Sequence, residues 1–468
     1  MRRTKIVCTL GPTSNDAETI GALIEAGMNV VRLNFSHGDH ESHRARFALV
    51  RKVAAEHNVP IPILQDLQGP KIRVGKVPGG EMILERGKQV TIVTNGGRDG
   101  DAAGDVIPCT YKPLAQDVSK GDRILLDDGR LELRVLRTGD HFVACEVIVG
   151  GALTNNKGIN LPGVKLSTPA LTDKDKRDIK LGLELGVDAV ALSFVLSAED
   201  CRQARELIGN VPLIAKIERP HALDHIDEIL DVVDGTMVAR GDLGVELGVE
   251  QVPMAQKTLI EQTNARGKLV ITATEMLDSM RHSPRPTRAE ASDVANAVLD
   301  GTDCVMLSGE TAAGDYPVQS VETMDRILRV TEESPRYQGL PDVPSLDYPE
   351  ITHAVARASV VAAREVRAKT IICFTETGKS AVLISEYRPK ADIVAVSVDE
   401  RLYRRLALQW GVTPLYLEDR SAQTVDEAIA AITELAVSSG KAQRGDLAVV
   451  TAGSWTGGAS DLLKIHRL

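Results

Sequence analysis

The chain has 468 residues, of which 43 % are hydrophobic and 26 % charged, and carries a formal net charge of −10 at pH 7. That length accommodates about three ordinary domains with sizeable cores. The acidic balance excludes broad attachment to nucleic acid or to an acidic membrane, while leaving room for a local basic pocket and a small anionic substrate. Six cysteines, Cys8, Cys109, Cys145, Cys201, Cys304 and Cys373, lie scattered in mostly apolar segments without a short-spaced pair. They read as reduced core thiols rather than a disulfide framework or a zinc site.

From Met1 the chain runs straight into the apolar strand Thr4–Leu10, with no signal core and no stretch long and apolar enough to span a bilayer, so the cytoplasm is the expected location. A repeated unit then sets the architecture. Leu23–Asn29 leads into Val30–Ser36, Gly182–Asp188 into Ala189–Phe194, and Ala297–Asp303 into Cys304–Ser308. Each copy is a helix end, a glycine suited to the left-handed position after the helix, a polar residue and a short apolar strand. Looser copies precede Thr236–Arg240 and Leu269–Thr274, and adding Thr4–Leu10, Pro62–Leu67 and Pro212–Glu218 gives eight strands, nearly all alternating with helical patterns. The expected fold class is α/β, a TIM (β/α)8 barrel with two additions.

The first addition interrupts the barrel after its third strand. Pro70–Gly163 loses the helical period and shows β-type runs at Gln89–Thr94, Arg123–Leu126 and Leu131–Leu136, separated by turn signals such as Asp127-Asp128-Gly129. It reads as an inserted all-β lid with Gly96–Gly104 as a mobile loop. The second follows Ser334–Glu350, which carries four prolines and reads as a linker. Beyond it, helix Ile351–Val366, strand Thr370–Phe374, helix Lys379–Tyr387 and strands Ile393–Ser397 and Leu447–Thr451 describe an open α/β domain. The expected borders are 1–69 and 164–335 for the barrel, 70–163 for the lid, 336–350 for the linker and 351–468 for the C-terminal domain.

Chemistry in such a barrel collects where strands end. Strand two ends in Arg32-Leu33-Asn34-Phe35-Ser36-His37, strand three in Asp66, strand six in Arg240-Gly241-Asp242, strand seven in Thr274 and Glu275, and strand eight in Ser308 and Glu310. Strand five, Leu213–Glu218, places Lys216 and Glu218 two residues apart and hence on one side of an otherwise apolar strand. On that stretch alone, a structural ion pair and a pocket that uses both charges remain open. Arg32, Arg73 and Lys216 suit phosphate oxygens, and the oxygen-only pair Glu218 and Asp242 suits a hard divalent ion such as Mg2+; together they describe phosphoryl transfer. His37, His40 and His43 are weighed as a zinc site and read instead as a solvated helix face. In the C-terminal domain, Thr375-Glu376-Thr377-Gly378-Lys379-Ser380 is either a phosphate-holding helix start or a plain capped helix.

Six blocks in chain order, Thr4–Pro12, Val31–Gly38, Ala215–Arg219, Met237–Gly244, Thr272–Leu277 and Leu307–Ala312, together resemble pyruvate kinase, with the likeness continuing more loosely to the C-terminus. The resemblance implies a glycolytic phosphotransferase, phosphoenolpyruvate and ADP as substrates, pyruvate and ATP as products. Residue by residue it implies that Glu218 and Asp242 hold Mg2+, with Mn2+ able to substitute, and that Ala239, Arg240, Gly241 and Asp242 line the substrate site. Lys216 would stabilise the phosphoryl group, Thr274 would be linked to enolpyruvate protonation, and Arg32 and Arg73 would clamp phosphates. Asn34, Phe35, Ser36, His37 and Lys157 would face the nucleotide. Thr375–Ser380, near the glycine-rich Ala452–Gly458, would take a phosphorylated effector in an allosteric homotetramer. The chain departs from the pattern at one place: many members complete a potassium site, matched here by Asn34, Ser36 and Asp66, with a threonine and a glutamate where Leu67 and Lys71 stand. A lysine ammonium supplies the charge of K+, and a leucine offers no oxygen, so activity without K+ is expected. Rival readings are an Mg2+-dependent aldolase or lyase working through an enolate, and a catalytically inactive metabolite sensor.

Overall fold

The computed structural model describes residues 2–94, 105–164, 166–337, 351–419, 421–422, 424–453 and 460–468. Gly96–Gly104, the linker from residue 338 to 350 and positions 454–458 of the glycine-rich stretch lie outside the described residues.

Eight parallel strands close into a barrel: β1 (Lys5–Thr9), β2 (Val30–Asn34), β3 (Ile63–Asp66), β4 (Ala189–Leu192), β5 (Leu213–Ile217), β6 (Gly235–Ala239), β7 (Leu269–Ala273) and β8 (Cys304–Leu307). They pair in chain order, and β8 returns to β1 with Lys5 opposite Cys304. Helices separate them, several opened by reciprocal caps; Thr172 and Asp175 cap helix Asp173–Leu185, and Gly186 ends it at φ +79°.

Strand alternation explains both the core and the site. One face of each strand packs outward on the helices, as Ile6, Cys8, Val31 and Leu33 do. The other fills the barrel: Val7, Val30, Leu64, Ala191, Ile214, Met237 and Met306 form one buried cluster. Stepping two residues along these inward rows gives Thr9, Arg32, Asp66, Ser193 and Lys216, so the apolar filling changes to polar groups at the C-terminal rim.

The lid is inserted after β3. Its main six-stranded sheet contains Gln89–Val93, Arg123–Leu126, Leu131–Thr138 and Phe142–Val149, and a two-stranded ribbon pairs Glu81–Leu84 with Gly151–Thr154. It has its own apolar core, built on Ile92, Leu126, Leu133 and Val147.

The C-terminal domain has five strands, β9 (Thr370–Phe374), β10 (Asp392–Ser397), β11 (Val412–Tyr416), β12 (Leu447–Gly453) and β13 (Ser460–Arg467), in the order β11-β10-β9-β12-β13 with β13 antiparallel. β11 and β13 are additions to the sequence expectation. This domain seats on the closed end of the barrel: Leu408 joins the barrel's inner cluster. Lys5 Nζ donates to the carbonyl of Val412 at 2.8 Å, and Arg388 pairs with Asp303 at 2.6 Å, both partners buried. Among the described residues no helix is long and apolar enough to cross a membrane.

Candidate active site

A cavity of about 120 Å3 opens at the C-terminal rim beneath the lid, lined by Arg32, Asn34, Ser36, His37, Lys71, Arg73, Lys216, Glu218, Ala239, Asp242 and Thr274, among others. Its walls come from β2, β5, β6 and β8, from the residues just after β4 and β7, and from the lid connection, so Arg32 and Met306, far apart in the chain, converge on one concave surface.

The floor is an ionic network. Lys216 Nζ lies 2.8 Å from Glu218 Oε1 and 3.3 Å from Asp66 Oδ1, and donates to Ser193 Oγ at 2.7 Å. Arg32 Nε pairs with the other oxygen of Asp66 at 2.6 Å, and its Nη1 donates to Thr9 Oγ1 at 2.9 Å. Burial alone would lower the ammonium's pKa, but Asp66 and Glu218 outweigh it and hold Lys216 above its ordinary range, firmly protonated. The Asp66 carboxyl would rise with burial, yet Lys216 and Arg32 pull it below its usual value. Burial pushes Glu218 up despite Lys216, and nearby Asp242 adds to the rise; the backbone N–H of Phe194 donates to its Oε2 at 2.7 Å.

Above this floor, Asp242 stands in the first turn of helix Arg240–Leu247, directly after β6. Its side chain is partly exposed, and Lys71 Nζ lies 3.6 Å from its Oδ1. Glu218 and Asp242 thus present carboxylate oxygens to one cavity, a donor set that fits a hard divalent cation able to share further oxygens with a bound anion. Thr274 adopts φ +67°, a region that β-branched residues rarely enter, at a cost of about 1–3 kcal/mol. Its hydroxyl is fixed there, accepting from Gly241 N–H at 2.8 Å and donating to the Ala273 carbonyl at 2.6 Å. His37 sits at the rim with its pKa lowered, first by burial and then by Arg73, Arg32 and Lys71, which keeps it neutral in an already cationic mouth.

Not every expected residue turns to the cavity. The Arg240 guanidinium faces away, bound to the Ala273 and Thr274 carbonyls, to Gln256 and to Asp293 at 2.6 Å, so the cavity lining there comes from Ala239 and Asp242. Phe35 is buried with its ring stacked on His43 at 3.9 Å, which corrects the expectation of a solvated histidine face. His40 pairs with Asp178 at 2.7 Å, and His43 Nε2 is hydrogen-bonded to the His37 carbonyl, so the His40 and His43 rings have separate partners. Lys157 pairs with Asp127 at 2.7 Å within the lid. Glu310 is buried in the short helix Gly309–Ala312 after β8 and accepts from the Leu277 and Ser308 amides. Sequence reasoning missed Thr9 and Ser193, the two hydroxyls that orient Arg32 and Lys216; the alternation that revealed Lys216 and Glu218 also points Ser193 inward.

This fold and cavity define a (β/α)8-barrel enzyme whose charged rim, beneath an inserted lid, has the chemistry to receive a small polyanion. The family model described as "Pyruvate kinase, barrel domain" matches residues 1–321, and "Pyruvate kinase, alpha/beta domain" matches 353–466. Among curated relatives, pyruvate kinase of Sporosarcina psychrophila is 45 % identical over 478 residues, covering 100 % of this chain and 80 % of the relative. That of Staphylococcus saprophyticus is 46 % identical over 476 residues with the same coverage. A crystal structure of a pyruvate kinase from Cryptosporidium parvum superposes with a TM-score of 0.90 at 38 % identity, covering 100 % of this chain and 96 % of that one. The chain belongs to the pyruvate kinase family, and its reaction is phosphoryl transfer between phosphoenolpyruvate and ADP, giving pyruvate and ATP in glycolysis.

Proposed function

We propose that this transfer is run by the rim network, with Lys216 as the group that offsets charge on the phosphoryl in flight. The observation that carries the assignment is the fixed, protonated ammonium held between Glu218, Asp66 and Ser193 in a nearly dry floor. A charge already oriented and desolvated needs no reorganisation when the phosphoryl group leaves the enolate oxygen and bonds to the terminal oxygen of ADP. Arg32 and Arg73 flank it as phosphate clamps. The enolate left behind takes a proton at its methylene carbon, and Thr274, with its strained and doubly hydrogen-bonded hydroxyl, is the group that holds the donating water in place.

Glu218 and Asp242 would hold Mg2+, or Mn2+ in its place; the ion would neutralise charge shared between substrate carboxylate and phosphate. Ala239, the backbone at Arg240 and Gly241, and Asp242 would receive phosphoenolpyruvate. Asn34, Ser36, His37 and Arg73 would meet the nucleotide, Phe35 by supporting their turn from below and Lys157 after release from Asp127. Lys71 replaces a monovalent cation: it shares the cavity with Asn34 and Ser36, while the Leu67 side chain is buried and its carbonyl is taken by Ser193.

The domain borders are read as 1–69 with 164–335, 70–163, 336–350 and 351–468; separate apolar cores support a barrel and a lid, with Val164 and Leu166 packing on the lid's core and Tyr337 on the barrel's. An effector bearing phosphate would bind at Thr375–Ser380, where Gly378 lies at φ +89° and its N–H donates to Thr375 Oγ1 at 2.9 Å. A homotetramer and a cytoplasmic location complete the reading on family likeness. The test is a coupled assay for pyruvate with phosphoenolpyruvate and Mg2+, with and without ADP, repeated with a panel of phosphorylated metabolites. Turnover only with ADP supports the reading; pyruvate release independent of nucleotide would favour a lyase or phosphatase instead.

A further inference from the structure

The lid leaves the barrel after β3 and returns just before helix Asp173–Leu185, and one buried carboxylate touches both crossings. Asp175 Oδ1 accepts from the backbone N–H of Gly69 on the outgoing crossing at 3.1 Å. Its Oδ2 accepts from the N–H of Thr172 on the returning crossing at 2.9 Å and from the Thr172 hydroxyl at 2.5 Å. The Thr172 contacts alone are an ordinary capping box for the helix that follows. Capping does not explain the bond to Gly69, which reaches 106 residues back along the chain.

Gly69 is fixed on its other side as well. It sits at φ +65°, and a Cβ there would lie 2.8 Å from the Phe194 ring and 3.1 Å from Ser193 Cβ, so its backbone is packed directly on the end of β4. Just beyond this point the two crossings are laced together, Ile159 N–H donating to the Ile72 carbonyl at 3.0 Å and Val74 N–H to that of Lys157 at 2.8 Å. The short arm between the pin and the lacing carries Lys71, which reaches Asp242, and Arg73 follows at once.

We propose that Asp175 is a positioning residue for the phosphoryl transfer: its single carboxylate pins both lid crossings to the barrel rim and thereby sets where Lys71 and Arg73 stand over the cleft. The proposal rests on the reading of the lid side of the cleft as the nucleotide's. A carboxylate can accept at both oxygens, whereas an asparagine of the same size must turn a donating NH2 toward one crossing or the other. Asp175→Asn therefore releases one crossing without changing volume.

The experiment compares D175N with T172V, which loses the hydroxyl contact and keeps the Gly69 bond. D175N should raise the KM for ADP by about fivefold or more while that for phosphoenolpyruvate stays within about twofold, and T172V should leave both within about twofold. If D175N leaves the KM for ADP unchanged, or if the two variants shift it equally, Asp175 only caps its helix and the proposal is overturned. Hydrogen exchange on the unmodified enzyme covers the case in which D175N does not fold. The Gly69 amide should exchange about a hundredfold or more slowly than an unprotected peptide, and exchange at the rate of an open loop overturns the pin. If the wild type shows no ADP-dependent turnover while Gly69 remains protected, the nucleotide reading fails and the pin stands.

Discussion

Lys71 Nζ lies 3.6 Å from Asp242 Oδ1, which places a protein ammonium beside one of the two carboxylates assigned to the divalent ion. The same cavity holds Asn34 and Ser36, whose oxygens suit a monovalent cation. On the proposed assignment, a covalently tethered positive charge in that space would take the place of a mobile one.

Activity should consequently be independent of potassium. Assayed in K+-free buffer at constant ionic strength, the enzyme should reach nearly its full rate, and stimulation by KCl of about tenfold or more would contradict the assignment. The double variant Lys71→Glu, Leu67→Thr restores an oxygen pair and removes the ammonium. It should have low activity without K+ and recover when K+ is added, with Na+ recovering it less.

Ser193 Oγ accepts from Lys216 and donates to the Leu67 carbonyl at 2.7 Å, so it fixes the amine to the start of the lid connection. Ser193→Ala leaves Lys216 charged between Glu218 and Asp66 but loosens its aim. We expect kcat to fall by between about 10- and 100-fold with the KM for phosphoenolpyruvate within about twofold. The melting temperature should drop modestly, since a buried carbonyl loses its donor at a cost of about 1–3 kcal/mol. An unchanged kcat would mean that the two carboxylates alone place the amine.

The domain seam gives a pH dependence unrelated to catalysis. Burial, and secondarily Arg2, lower Lys5 from 10.5 to about 8, where it donates to Val412 across the seam. Because the folded value is depressed, the unfolded chain binds more protons between about pH 8 and 10.5. The stability gained from a neutral Lys5 is full above that window and is lost as pH falls through the folded value. The whole span is worth about 3 kcal/mol at most. Between pH 7.5 and 10 the wild type should therefore gain stability relative to Lys5→Met, seen as a change in the difference between their melting temperatures. Parallel behaviour of the two proteins would show that the amine titrates normally.

Much of this was legible in the sequence because a barrel strand buried on both faces leaves a plain apolar run. The expected Pro212–Glu218 and the observed Leu213–Ile217 differ only at their ends. That Lys216 and Glu218 lie on one side of the strand followed from alternation alone; that they pair is seen in the structure. Other features depend on contacts between distant segments and leave no local trace. Phe35 and His43 stack because a strand end and a helix start meet. Arg240 turns from the cavity because Asp293 and two carbonyls of the next strand capture it. The edge strand Ser460–Arg467 mixes charged and apolar residues, since among the described residues one of its flanks has no strand neighbour, and so lacks the pattern that marked β9 and β10.

The most direct measurement is the turnover of Lys216→Met with saturating phosphoenolpyruvate, ADP and Mg2+. Methionine keeps the apolar stem and most of the length of lysine but removes the ammonium together with its contacts to Glu218, Asp66 and Ser193, so turnover is measured below the variant's own melting temperature. If the ammonium stabilises the moving phosphoryl, kcat falls by about 10³-fold. A fall of less than about tenfold would show that the lysine merely balances Glu218 and Asp66, and that the charge on the transferred group is met elsewhere.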